Sequence, residues 1–185
     1  DAATGKLQGS APHRTSAGSF ALSPDGRVLA VSPTPSTIEL RTVPGLEPLA
    51  GWQAAGDGAS ALAFAPGNTQ LAIGDASGRV QIFQVPEGQR RAETRLAGPV
   101  RVLCWSHDGQ ALLAAERPEV ILWRPATGER LTLDCGESRV IWAAFSPDDR
   151  RLLTVSGARI RIWDTLRGQL QRELTASATI HCATF

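Results

Sequence analysis

The sequence predicts an all-β protein assembled from repeated four-stranded units of about 40 residues. Three observations predict it. Segments 20–26, 62–68, 103–109 and 143–149 resemble one another, and their Ser23, Ala65, Ser106 and Ser146 stand 42, 41 and 40 residues apart. Gly5, Gly45, Gly88, Gly128 and Gly168 recur at 40, 43, 40 and 40 residues, and Leu40, Phe83, Trp123 and Trp163 each lie five residues before a glycine of that series. Between these markers apolar residues fall at every second place, which is the period of a half-buried strand and not of a helix.

Each element follows from its own stretch. The first strand of a unit, a, ends on a large apolar residue: Leu22, Phe64, Trp105 or Phe145. The turn behind it carries Asp25-Gly26 or Asp108-Gly109, residue types that accept the positive φ of a tight hairpin. Strand b is continuously apolar, as in 110–114 and 151–155, which suits a strand covered on both faces. Strand c alternates, as in 79–83 and 159–163, and strand d follows the glycine turn. The innermost strands are expected at 20–24, 62–66, 102–106 and 142–146. Trp105, Trp123 and Trp163 are in phase with the repeat and read as core, whereas Trp52 and Trp142 are out of phase.

The period, the four strands per unit, the Ser-Pro-Asp-Gly turns and the Ile162-Trp163-Asp164 ending of a c strand together resemble the WD-repeat family. The resemblance covers essentially the whole chain. It implies a β-propeller, a ring of four-stranded antiparallel blades. Four complete blades are expected at about 12–54, 55–97, 98–136 and 137–176, with partial strands at 1–11 and 177–185. The chain opens in the manner of a c–d turn and closes in the manner of a strand a, and it carries no Met. An excerpt of a longer propeller is therefore expected, needing further blades or another chain to close the ring.

The repeats are degenerate. Trp163-Asp164 is the one Trp-Asp pair at these positions; Trp123 is followed by Arg124, Phe83 by Gln84 and Leu40 by Arg41. The family's Gly-His dipeptide is absent, and its b–c turn Asp is missing, with Pro118 and Ala158 near the matching places. The His-Asp-Ser-Trp hydrogen-bond network that the resemblance implies cannot be completed in any blade, so packing must supply the cohesion.

Composition narrows the function. Formal net charge is +1, and eighteen Arg with one Lys form no run longer than two, which gives no electrostatic case for nucleic acid as the main partner. No apolar stretch approaches the roughly 20 residues of a membrane-spanning helix, and no membrane insertion is expected. Cys104, Cys135 and Cys182 have neither metal-site nor redox spacing and read as free thiols of an intracellular, cytoplasmic protein. His13, His107 and His181 form no ligand pair, and His107 takes the Pro place of a turn. Asp148-Asp149 reads as turn chemistry, and Ser10, Ser16 and Ser106 lack a nucleophile's setting. No catalytic residue, metal site or cofactor is expected.

The resemblance implies that partners bind the rim built from the d–a and b–c loops. Trp and Arg are enriched at binding hot spots, so Trp52, Arg101, Arg139 and Trp142 are the candidate partner contacts. The function expected is a non-catalytic protein–protein interaction scaffold within a larger protein or assembly, cytoskeletal, ciliary or signalling. The alternative is a propeller attached to an enzyme, as the sensor of a signalling ATPase or the gate of a peptidase.

Overall fold

The structure is a computed structural model that describes residues 19–54, 56–116, 119–136, 139–181, 183 and 185. Among these residues there are sixteen strands and no helix. They are β1 (Phe20–Leu22), β2 (Val28–Thr34), β3 (Thr37–Thr42), β4 (Pro48–Gln53), β5 (Ala59–Phe64), β6 (Gln70–Asp75), β7 (Arg79–Gln84), β8 (Gln89–Arg95), β9 (Val102–Trp105), β10 (Leu112–Glu116), β11 (Glu119–Arg124), β12 (Glu129–Thr132), β13 (Trp142–Phe145), β14 (Arg151–Ser156), β15 (Arg159–Asp164) and β16 (Leu170–Thr175). They form four antiparallel sheets of four sequential strands, β1–β4, β5–β8, β9–β12 and β13–β16. The first strands β1, β5, β9 and β13 lie side by side in chain order, so the sheets stand as propeller blades around a common inner wall.

The a–b turns show why Ser recurs. The Oγ of Ser23, Ser106 and Ser146 each donates to the Asp two residues on, at 2.6 Å, and accepts the backbone N–H of the residue five on, at or just before the start of strand b. Each Ser is buried, and the turn around it satisfies it completely. The second blade has Ala65 instead and closes this turn with Asn68 at φ 59°.

The core lies between blades. Ile38, Leu40, Phe64, Leu71 and Phe83 form a cluster joining blades one and two. Val80, Ile82, Trp105, Leu112 and Trp123 join blades two and three. Leu122, Leu133, Val140, Phe145 and Trp163 join blades three and four. Each blade thus buries its apolar residues against a neighbour, as stacked repeats must. The in-phase Trp105, Trp123 and Trp163 are all buried, as expected.

Differences from the sequence reading have physical reasons. Strand β5 starts at Ala59, earlier than the expected 62, because a bulge at Ala59/Ala61 lets it pair up to the end of β6. Trp52 lies within β4 and not in the following loop: it pairs with Ile38, although Pro48 and Gly51 disguise the strand. The expected partial strand at 1–11 lies outside the described residues, as does Pro118. In 177–185 no strand is present among the described residues, although this segment runs beside β13. The Trp142 indole donates to the carbonyl of Ala183 at 2.7 Å, as the Trp105 indole does to Ala63 at 3.1 Å across blades two and three. Strand β13 stands at the edge of its sheet with β14 as its ladder partner, and this segment contacts it through that side-chain bond without joining a ladder among the described residues.

The implied hydrogen-bond network is present in part. In blade four Trp163 Nε1 donates to Thr154 Oγ1 at 2.9 Å, and the Cys135 thiol lies 3.9 Å from the same hydroxyl. In blade two the b–c turn does have an aspartate, which corrects the expectation that none would serve there. Asp75 Oδ1 accepts from the N–H of Ser77 and Arg79 and from the Ser77 hydroxyl at 2.7–2.9 Å.

Candidate functional site

Arg101 lies one residue before β9, Arg139 in the connection from blade three to blade four, and Glu116 at the end of β10. The stacking of blades brings these three together from points up to 38 residues apart in the chain. Both guanidinium Nε atoms face Glu116 Oε2, at 3.4 Å from Arg101 and 3.8 Å from Arg139. The Glu116 side chain is only 12% exposed and that oxygen receives no hydrogen bond among the described residues. The arginines are 52% and 48% exposed. At that exposure the pairs add little to stability. What they create is a surplus positive charge with planar donors facing solvent, an arrangement that suits a partner carboxylate.

Beside this cluster the four innermost strands wall an open trough of about 530 Å³ lined by Phe20, Ser60, Arg101, Cys104 and Trp142, among others. Phe20, Ile141 and Trp142 are exposed apolar side chains on it. Three of the four candidate residues therefore share one region: Arg101 and Arg139 meet at Glu116, and Arg101 and Trp142 both line the trough. Trp52 does not join them. Its ring packs on Phe83 with centroids 5.8 Å apart, and a Cβ placed on Gly88 would come within 2.8 Å of it. Trp52 fills the seam between blades one and two.

Glu116 was missed by sequence reading, since a lone Glu at a strand end resembles any solvated residue. The two arginines in successive d–a connections were the available signal. The Cys104 and Cys135 thiols are both pushed up to about 11, chiefly by burial, which leaves them protonated and unreactive at neutral pH. Among the described residues no group of three His, Cys, Asp or Glu could hold a metal ion, and no helix is long and apolar enough to cross a membrane.

The family model described as "WD domain, G-beta repeat" matches residues 129–164. That segment runs from strand d of blade three through the Trp163-Asp164 pair of blade four. This chain carries a WD repeat. The other three blades have the same order of four strands. Over 129 residues the chain is 26% identical to "Telomerase protein component 1" of Mus musculus, and equally to the protein of that name of Rattus norvegicus. Those alignments cover 68% of this chain and 5% of each relative, so the chain corresponds to a small part of either.

Proposed function

We propose that this WD-repeat chain is a non-catalytic protein–protein interaction scaffold within a larger protein or multi-subunit assembly. The observation that carries it is the meeting of the exposed Arg101 and Arg139 guanidiniums over one sequestered carboxylate, beside the trough that Arg101 lines together with Trp142. These three residues are the direct contacts, and Trp52 contributes by holding blades one and two in register. The names of the two relatives, protein components of telomerase, fit a role inside an assembly. The free thiols Cys104 and Cys135 fit a reducing, intracellular setting such as the cytoplasm.

The exposed outer face of blade four supports a need for further blades or another chain. Leu174 is 55% exposed, whereas Leu133, at the same register one blade earlier, is 1% exposed because blade four covers it. The test replaces Arg101, Arg139 and Trp142 together with Ala in the full-length protein and measures recovery of its partners. Loss of recovery with unchanged far-UV circular dichroism is expected. Unchanged recovery would refute these contacts, and a hydrolytic or transfer activity abolished by one polar substitution would refute the non-catalytic role.

A further inference from the structure

The seams between blades are not filled alike. Strand d of each blade presents two residues at equivalent registers to the c–d turn of the next blade. They are Ala50 and Trp52 in β4, Ala92 and Thr94 in β8, and Leu131 and Leu133 in β12. Trp52 packs against Gly88, and Leu131 with Leu133 against Gly168. In the middle seam the corresponding turn glycine, Gly128, has nothing within 4 Å of the place a Cβ would occupy. Beside this turn lies a groove of about 300 Å³ lined by Ile82, Ala92, Trp105 and Pro125 together with the polar Gln70, Arg91 and Gln110. That volume is at the lower end of sites that take a small ligand or a side chain.

Arg91 is the one charged residue lining the groove. It is exposed and makes no ion pair among the described residues, whereas its neighbour Arg90 is paired with Glu93 at 2.8 Å. We propose that the outer groove between the second and third blades docks a short acidic segment of a partner protein, which inserts one large apolar side chain beside Arg91. The sister seams show the chemistry that fills such a place, a Trp or Leu side chain on extended backbone. Charge complementarity to Arg91 sets the acidic flank, and the two glutamines can hydrogen-bond the segment's backbone.

The test is fluorescence anisotropy of the full-length protein with a labelled nine-residue peptide that has a central leucine and glutamates on both sides. Saturable binding is expected. Ala92→Leu, which plugs the groove, Arg91→Glu, which reverses its charge, and replacement of the peptide leucine by alanine should each weaken binding at least about tenfold. Arg91→Glu is a surface change and keeps the test decisive if Ala92→Leu perturbs folding. Absence of saturable binding overturns the proposal. So does binding that responds to Arg91→Glu but ignores the peptide leucine, since that would be charge attraction alone. Self-association of the chain that Ala92→Leu abolishes, without peptide binding, would assign the groove to a second copy instead.

Discussion

The seam between blades three and four and the seam between blades two and three join blades of the same strand order through very different ties. At the first, the Asp149 carboxylate reaches across to the preceding a–b turn. It accepts from the N–H of His107 and of Asp108, both at 2.8 Å, and lies 2.9 Å from His107 Nδ1. Arg124 donates to the carbonyl of Thr165 at 2.7 Å, and buried Arg161, held by Glu173 of its own blade, donates to the carbonyl of Cys135. At the second, Gly109 stands where Asp149 stands and has no side chain; a Cβ placed on it would meet Pro66 Cδ across the seam at 3.7 Å. The deep part of that seam is still closed by Trp105 and by the Val100 N–H bond to the carbonyl of Asp75. Repetition sets the stacking, and a few side chains at two registers decide how firmly each seam is held.

The Pro-to-His departure at 107 gains a meaning from this comparison. In blade one the turn reads Pro24-Asp25, and Asn68 across the seam accepts a single bond, from Asp25 N at 3.2 Å. Pro has no N–H to give. His107 supplies the N–H that Pro lacks, so Asp149 is held by two amides.

The largest expected effect is common to both seams. Trp123→Ala and Trp163→Ala should each destabilise by about 3–5 kcal/mol, as large core truncations do, in denaturant unfolding. Near-neutral results at both would mean that the inter-blade clusters are not the core. The next effect separates the seams. Asp149→Gly keeps a residue suited to φ 55° and removes the carboxylate. It should cost about 1–2 kcal/mol, less than its separate bonds would sum to because the site is partly solvated. His107→Pro should reproduce part of that loss, and no loss in either variant would mean that the tie is idle.

Smaller effects concern the thiols and the turns. Cys104 and Cys135, raised to about 11, should react with iodoacetamide at pH 7.5 far more slowly in the native chain than in denaturant. Equal rates would contradict their burial. Asp25 and Asp148 are held below the ordinary 3.8, first by the hydroxyls of Ser23 and Ser146 and then by the N–H of Arg27 and Arg150. The folded state therefore binds fewer protons there than the unfolded state. This stabilisation is complete above 3.8 and fades as pH falls through the lowered values. Asp25→Asn with Asp148→Asn should flatten the stability loss below that pH, and an unchanged slope would argue against these turn bonds.

Strand order and the buried Trp positions were legible because a two-residue alternation and a 40-residue period are local signals. The seams were not. Asp149 read as one half of a solvated turn pair, yet the signal was available: the last turn position is Gly26, Asn68, Gly109 and Asp149, and a non-glycine residue held at positive φ calls for a reason. Trp52 read as a loop residue because Pro48 and Gly51 break the strand pattern of β4. Arg101 and Arg139 were marked separately by residue type alone. Their meeting at Glu116 depends on how neighbouring blades stack, which no single stretch of sequence encodes.

Amide hydrogen exchange at the equivalent a–b turns of blades two and three tests the difference between the seams most directly. The Asp108 N–H is bound by Asp149 across the seam, whereas the N–H of Gly67, the equivalent position one blade earlier, has no bond among the described residues. In the native chain the Asp108 amide should exchange markedly more slowly than that of Gly67, relative to their intrinsic rates, and should lose its protection in Asp149→Gly. Equal protection at the two amides, or protection of Asp108 that survives Asp149→Gly, would contradict a seam held by that carboxylate.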